Sequence, residues 1–258
     1  EAALPSRAMP CDNLRKLPGG ARIDSGYSLR YVFEDQQWVS KIAMLLLFML
    51  LSAIPLFGLL ALAVALGYLV ELVGNVRTGF VRPLPEWDNI EEKFRLGGHL
   101  LIAWFVYHVP FILFNGCVTW VFGVLAGGFL GDITSIAIVC CLLPFSLIYV
   151  VVAWCLFSIA IVEYSDTRNS ISFYRLSDLG WTLRRYGGLT AQWAMMALFA
   201  NILLVLLAAI PCIGWIAAPA LAIPWQGHLL GQYARHVGVD SDRRKDKVRK
   251  KSPAKGPR

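Results

Sequence analysis

Apolar and polar residues are segregated along this chain into long blocks. Ile42 to Val73, His99 to Leu130, Ile133 to Val162 and Leu189 to Leu230 are apolar almost throughout, and none of the four contains a Lys or Arg. An amphipathic helix of a soluble protein shows an apolar stripe with a polar back. These blocks are apolar all round, and each reaches or exceeds the roughly 20 residues needed to cross a hydrocarbon core as a helix. The pattern predicts an all-α integral membrane protein.

Two of the blocks are too long for one crossing. Ile42 to Val73 would make a helix of roughly 48 Å at 1.5 Å per residue, against a core of about 30 Å. Each has a breaker near its middle, and the two match: Ile54-Pro55-Leu56-Phe57-Gly58 and Ile210-Pro211-Cys212-Ile213-Gly214. Proline removes a helical donor and glycine admits turn geometry. Pro55, Gly58, Pro211 and Gly214 therefore read as hairpin apices, with one kinked helix as the alternative in each case.

The basic residues choose between these. Short cytoplasmic loops are enriched in Lys and Arg. Three helical hairpins (42–73, 99–162 and 190–232) put the apices at Pro55–Gly58, Gly131–Thr134 and Pro211–Gly214, all free of Lys and Arg. Every basic residue then falls on one face, whereas four unbroken spans would scatter them over both. The expected architecture is six transmembrane helices with both termini cytoplasmic. The first hairpin's arms, about 15–17 residues each, are short for a crossing. Residues 1–26 read as a polar extension without the early apolar stretch of a secretory signal, 27–235 as one transmembrane domain, and 236–258 as a basic cytoplasmic tail.

An amphipathic stretch precedes each hairpin: Tyr27–Trp38, Pro83–Phe94 and Ser170–Tyr186. These predict interfacial helices on the cytoplasmic side. Trp38, Trp87 and Trp181 serve as headgroup-level anchors. Asp88 is the expected cap of the middle one, with Glu91 as its capping-box partner, and Gly97-Gly98 and Gly187-Gly188 mark corners.

Composition agrees with the blocks, at 57% hydrophobic and 16% charged residues; an ordinary soluble domain has roughly 45–50% apolar and about 25% charged. Ten Lys or Arg against three Asp lie between Arg235 and Arg258. The run Arg243, Arg244, Lys245, Lys247, Arg249, Lys250 and Lys251 can hold anionic lipid or serve as a topology determinant with a solvated end. Cys117, Cys140, Cys141, Cys155 and Cys212 sit in apolar blocks without a Cys-x-x-Cys and read as small hydrophobes, so neither a metal site nor a disulfide framework is expected.

Intramembrane polar residues are the usual pointers to function. Here they are few: His108, Asn115 and Thr119 in the third span, Gln192 and Asn201 in the fifth. Interhelical hydrogen bonding accounts for most of them. His108 and His228 are weak candidates for haem or pigment ligation, since neutral imidazole is a common metal ligand. Gly123-x-x-x-Gly127 and Gly227-x-x-x-Gly231 read as close-packing faces. The glycine, serine and histidine signatures of phosphate, dinucleotide, hydrolase and metalloprotease sites are missing. No enzyme and no cofactor are expected; bound lipid is.

Several short stretches carry a resemblance. Tyr31-Val-Phe-Glu-Asp-Gln-Gln-Trp38, Ile54-Pro55, Gly67-Tyr68-Leu69, Asn75-Val76-Arg77-x-Gly79 and Leu84-Pro85-Glu86-Trp87-Asp88 come first. Tyr107-His108-x-Pro110, Glu163-Tyr164, Phe173 with Asp178, Ile210-Pro211-x-Ile213-Gly214 and Gly227-His228-Leu229-x-Gly231-Gln232-Tyr233-x-Arg235 follow. In this order they resemble the prokaryotic membrane family called domain of unknown function 4013, over about Gly26 to Arg235. The resemblance implies a bacterial or archaeal cytoplasmic membrane protein and carries no activity. The resulting expectation is a non-enzymatic scaffold or accessory subunit of a larger membrane complex. Its partners are other membrane subunits and lipid, with no nucleic acid. A small-molecule or lipid transporter is the alternative, and a pigment- or haem-binding subunit the second. The transporter requires a polar cavity joining His108, Asn115, Gln192 and Asn201.

Overall fold

The fold is known from a computed structural model, which describes residues 23–55, 57–125 and 129–251, with side chains through Gly238 except 122–139 and 141. Among these residues all regular structure is helical. A short helix α1 (Tyr27–Arg30) continues into a 3-10 turn (Tyr31–Glu34); α2 (Trp38–Leu51), α3 (Gly58–Thr78), α4 (Ile90–Leu125) and α5 (Phe129–Thr167) follow. A second 3-10 turn (Ser170–Tyr174) leads to α6 (Leu176–Arg185), α7 (Gly187–Ala208) and α8 (Ile213–Lys251). Most of the N-terminal extension lies outside the described residues, as do the side chains of the Arg243–Lys251 run.

Among the described residues, four helices are long and apolar enough to cross a membrane: Gly58–Thr78, Ile90–Val121, Leu142–Thr167 and Gly187–Ala208. α2 is equally apolar, but its 14 residues cover only about 21 Å. α8 is long, yet Pro219, Pro224, Gln226 and His228 interrupt its apolar half.

The two Ile-Pro-x-x-Gly segments fold alike. In the first, the Phe57 N–H donates to Pro55 O (3.0 Å) and the Gly58 N–H to Ile54 O (2.8 Å); in the second, Ile213 donates to Pro211 O (2.8 Å) and Gly214 to Ile210 O (3.0 Å). Both glycines are sterically required. A Cβ on Gly58 would strike the Ser52 carbonyl, and one on Gly214 the Leu207 carbonyl. Cys212 turns the second apex with φ of 64°.

α3 is the centre of the bundle, packed by α2, α4, α5 and α8. Its contact with α4 is backbone on backbone. A Cβ on Gly67 would occupy the Lys93 carbonyl, and one on Gly97 would occupy the Ala63 carbonyl. Across α3 from this contact, Gly227 of α8 leaves room for Leu69 and Leu72, and Gly231 for Val76. This is the close approach that small residues permit between apolar helices, and it matches the role expected of the Gly227–Gly231 pair.

Four local expectations are corrected. Pro83–Phe94 does not form a separate interfacial helix: residues 79–89 are irregular, and α4 starts at Ile90 and runs unbroken through Gly97-Gly98. Gly97 serves the α3 contact and makes no corner. The cap of α4 sits one residue later than Asp88, because Asn89 Oδ1 accepts the Glu92 N–H (3.1 Å) and its amide donates to the Glu92 carboxylate (3.4 Å). Gly131–Thr134 lies inside α5, and residues 126–128, between α4 and α5, lie outside the described residues. Gly187 does mark a corner, between α6 and α7.

α4 and α5 are apolar over a longer stretch than α3 or α7. At 36 and 39 residues they measure about 54 and 58 Å. Beyond Tyr107 on α4, up to Val121, and from Leu142 to Val152 on α5, no described side chain is buried. Trp120 and Phe145 are 71% and 70% exposed.

The glycine contact gives a clear test. Gly67→Leu and Gly97→Leu should each destabilise the protein by at least about 1–3 kcal/mol, the cost of overpacking. Gly98→Ala should be neutral or better, since nothing lies within 4 Å of its added Cβ. Thermal unfolding of the detergent-solubilised protein measures both.

Candidate functional site

Among the described residues, two basic side chains are buried, those of Lys41 and Lys93. Lys41, in the first turn of α2, is 4% exposed. Its ammonium donates to Asp35 Oδ2 (3.0 Å), Glu86 Oε1 (2.7 Å) and Leu84 O (3.1 Å). An ammonium has three donors, so all are used. Asp35 Oδ1 accepts the Gln37 N–H (2.8 Å), and Trp87 Nε1 donates to Lys41 O (3.1 Å). Thus Asp35–Trp38 and Leu84–Trp87, far apart in sequence, close around one helical turn.

Trp87 carries the cluster inward. Its ring stacks on Tyr68 of α3 (4.8 Å between centroids) and on Phe48 of α2 (5.3 Å), with Lys93 Nζ 5.9 Å from its centroid. Lys93, 1% exposed, pairs with Glu71 Oε2 at 2.7 Å. The Tyr68 hydroxyl has no protein hydrogen-bond partner. At the same end Arg77 pairs with Asp166 (2.8 Å) and Arg168 with Glu92 (3.7 Å).

His228 belongs to a second buried cluster. Tyr31 stacks on its ring at 4.1 Å and Tyr27 meets it edge-on at 5.5 Å, while Nδ1 lies 3.0 Å from Ser28 Oγ and 3.1 Å from Gln232 Nε2. The Tyr31 hydroxyl donates to Pro224 O (2.9 Å). These contacts seat the segment before α2 against α8. They use His228 as a packed, hydrogen-bonded ring.

The other expected residues are dispersed. His108 is half-buried, its ring stacked on Trp104 (4.3 Å) and its Nδ1 2.8 Å from Trp104 O. Asn115 donates to Phe111 O (2.9 Å) and accepts from Ser146 Oγ (3.1 Å). This pair edges an aromatic notch of about 300 Å³ between α4 and α5, lined also by Pro110, Phe114, Phe145 and Tyr149. Asn201 is exposed on α7 and Gln192 half-buried there. Neither lines the notch, nor does His108, so the notch does not gather the four polar residues that transport would require. Among the proposed anchors, Trp181 is exposed at 59%, Trp38 is half-buried edge-on to Phe33, and Trp87 is enclosed by the stack described above.

Chemically the Lys41 and Lys93 clusters are closed ion pairs with no nucleophile beside a base. What they do is hold four segments of chain at one level. Sequence reasoning treated Lys41 and Lys93 as loop charges and gave Asp35, Glu71 and Glu86 no role. The available signal was that Lys41 abuts an apolar block, while Glu71 stands alone within one.

The family described as protein of unknown function (DUF4013) matches residues 42–213. The chain belongs to this family. No curated protein and no solved structure matches it. For this DUF4013 protein, the cluster therefore ties the matched segment, through Glu86 and Trp87, to Asp35 and Lys41 just before it.

Removing Lys41 strands a buried carboxylate. Lys41→Met should cost about 3–5 kcal/mol, the range for breaking a buried pair. Tyr68→Phe keeps the ring stack and should cost less than about 1 kcal/mol. Chemical denaturation in detergent ranks the two. Burial pushes the Asp35 carboxyl up, but the Gln37 N–H and the Lys41 ammonium outweigh it and hold the pKa below the ordinary aspartate value. A lowered folded pKa gives stability that is complete above the ordinary value of about 3.9 and is lost as pH falls through the folded value. The Asp35→Asn variant should therefore lose less stability than wild type on acidification below about pH 4.

Proposed function

We propose that this DUF4013 protein is a non-enzymatic integral scaffold or accessory subunit of a larger membrane protein complex, resident in a prokaryotic cytoplasmic membrane. The observation that carries the reading is the outer part of α4 and α5, two long apolar helices on which no described side chain is buried from His108 to Val121 or from Leu142 to Val152. Within that bare surface sit a half-buried Asn115–Ser146 pair and Gly116, with nothing within 4 Å of an added Cβ. Small residues let a neighbouring helix approach, and amide or hydroxyl side chains bond across it for roughly 0.6–2 kcal/mol each. A helix of another subunit uses both features; lipid chains use neither.

The finer topology belongs to the same reading: six spans as three hairpins, with both termini cytoplasmic. It is supported by the matching Ile-Pro-x-x-Gly turns and by apices free of Lys and Arg. The Arg77–Asp166, Lys93–Glu71 and Arg168–Glu92 pairs, all at one end, agree with it. The basic tail adds attraction to anionic lipid on that side. No observation favours the transporter or the haem reading: the His108 ring is held against Trp104 of its own helix, Asn201 is exposed and His228 is packed under Tyr31.

Photo-crosslinkers at Leu113 and Phe145, in cells, should capture a second membrane protein, and one at buried Ala63 should not. Native-membrane isolation that recovers only this chain, with no product from either exposed position, would sink the proposal.

A further inference from the structure

α6 combines two kinds of surface that water alone would not favour together. Leu179 is fully buried and fixes the helix to the bundle. On the outside, Leu176 and Trp181 are more than half exposed, with Ile171 and Tyr174 of the preceding turn beside them in sequence. Between Arg175 and Tyr186 stand three arginines and one aspartate, and all three arginines are exposed. The Arg185 guanidinium carbon lies 5.6 Å from the Trp181 ring centroid and 5.7 Å from that of Tyr186. Two rings thus hold this guanidinium, lowering the entropy lost when it takes a ligand.

We propose that α6, through Arg184, Arg185 and Trp181, is a binding site for the phosphate of an anionic phospholipid headgroup in the leaflet at the charged end. The inference rests on the membrane reading above. A guanidinium presents a planar fork of donors that matches phosphate oxygens two at a time. The ring of Trp181 takes the place such rings favour at the headgroup level, and Leu176 reaches the acyl boundary, as in an amphipathic helix lying in the interface. The exposed apolar residues argue for lipid over nucleic acid or a free anion, neither of which would cover them. The arginines argue for anionic over zwitterionic lipid. The site differs from the basic tail in being built on the bundle itself.

The test uses the full-length protein in phosphatidylcholine nanodiscs with and without phosphatidylglycerol. Native mass spectrometry after release should show phosphatidylglycerol retained in preference to phosphatidylcholine. Arg184→Gln and Arg185→Gln should each lower that preference about fivefold, the worth of one basic residue near an anionic surface. Substituting Arg243, Arg244 and Lys245 by Gln should leave it in place. Trp181 fluorescence, read as the difference between wild type and Trp181→Phe, should be quenched by headgroup-level brominated lipid. Equal retention of both lipids, preference abolished only by the tail variant, or full competition by inorganic phosphate would each overturn the site. Release of the protein from membranes by alkaline carbonate would instead overturn the membrane reading itself.

Discussion

Gly67 and Gly97 bring the backbones of α3 and α4 into direct contact, and the placing of charge at this end follows from that approach. With Gly67 against the Lys93 carbonyl, the Lys93 side chain has no route to solvent and finds Glu71 one turn along α3. The same approach puts Tyr68 within stacking distance of Trp87, and Trp87 delivers Glu86 to Lys41. A larger residue at either glycine would part the helices and leave two ammonium groups buried without partners. Burying ions is costly unless they are paired and hydrogen-bonded, so the glycines and the lysines must be retained together.

That dependence explains which parts of the fold were legible in the sequence. The apolar blocks and the Ile-Pro-x-x-Gly breakers are local signals, and the two breakers share one hydrogen-bond pattern at 54–58 and 210–214. Element starts were less legible, because tertiary contacts decide them. Asp88 and Glu91 form a capping box on paper, but Glu86 and Trp87 are already committed to Lys41, and the helix waits for Asn89. Gly97-Gly98 looked like a corner for a similar reason. A glycine pair reads as a break locally, while only the facing backbone of α3 reveals that one of them is a packing device inside a continuous helix.

The candidate site was less legible still. A lysine at the edge of an apolar block is first read as a topology signal, since most such lysines snorkel to water. Lys41 does not, because Asp35, Glu86 and the Leu84 carbonyl supply an acceptor for each of its donors. Nothing in the spacing of residues 35, 41, 84 and 86 announces that set. The polar residues inside the blocks pointed the other way: His108, Asn115, Gln192 and Asn201 suggest a pathway when read along a line, yet they sit on different helices and faces. One-dimensional depth in a span says little about azimuth, and azimuth decides whether a side chain meets a cavity, a helix or lipid.

Length supplies the last constraint. From Leu96 to Leu125, α4 is free of charged residues for about 45 Å, whereas α3 extends about 32 Å in all and ends in an Arg77–Asp166 pair. A hydrocarbon core of about 30 Å can match α3 without matching α4 and α5. Tilting or local thickening of the bilayer absorbs part of such a difference at a fraction of a kcal/mol per ångström. A neighbouring protein of similar height removes it altogether and covers the Asn115–Ser146 pair at the same time. The short elements are thus fitted to this chain's own core, and in the scaffold reading proposed above a neighbour is what the long pair would be fitted to.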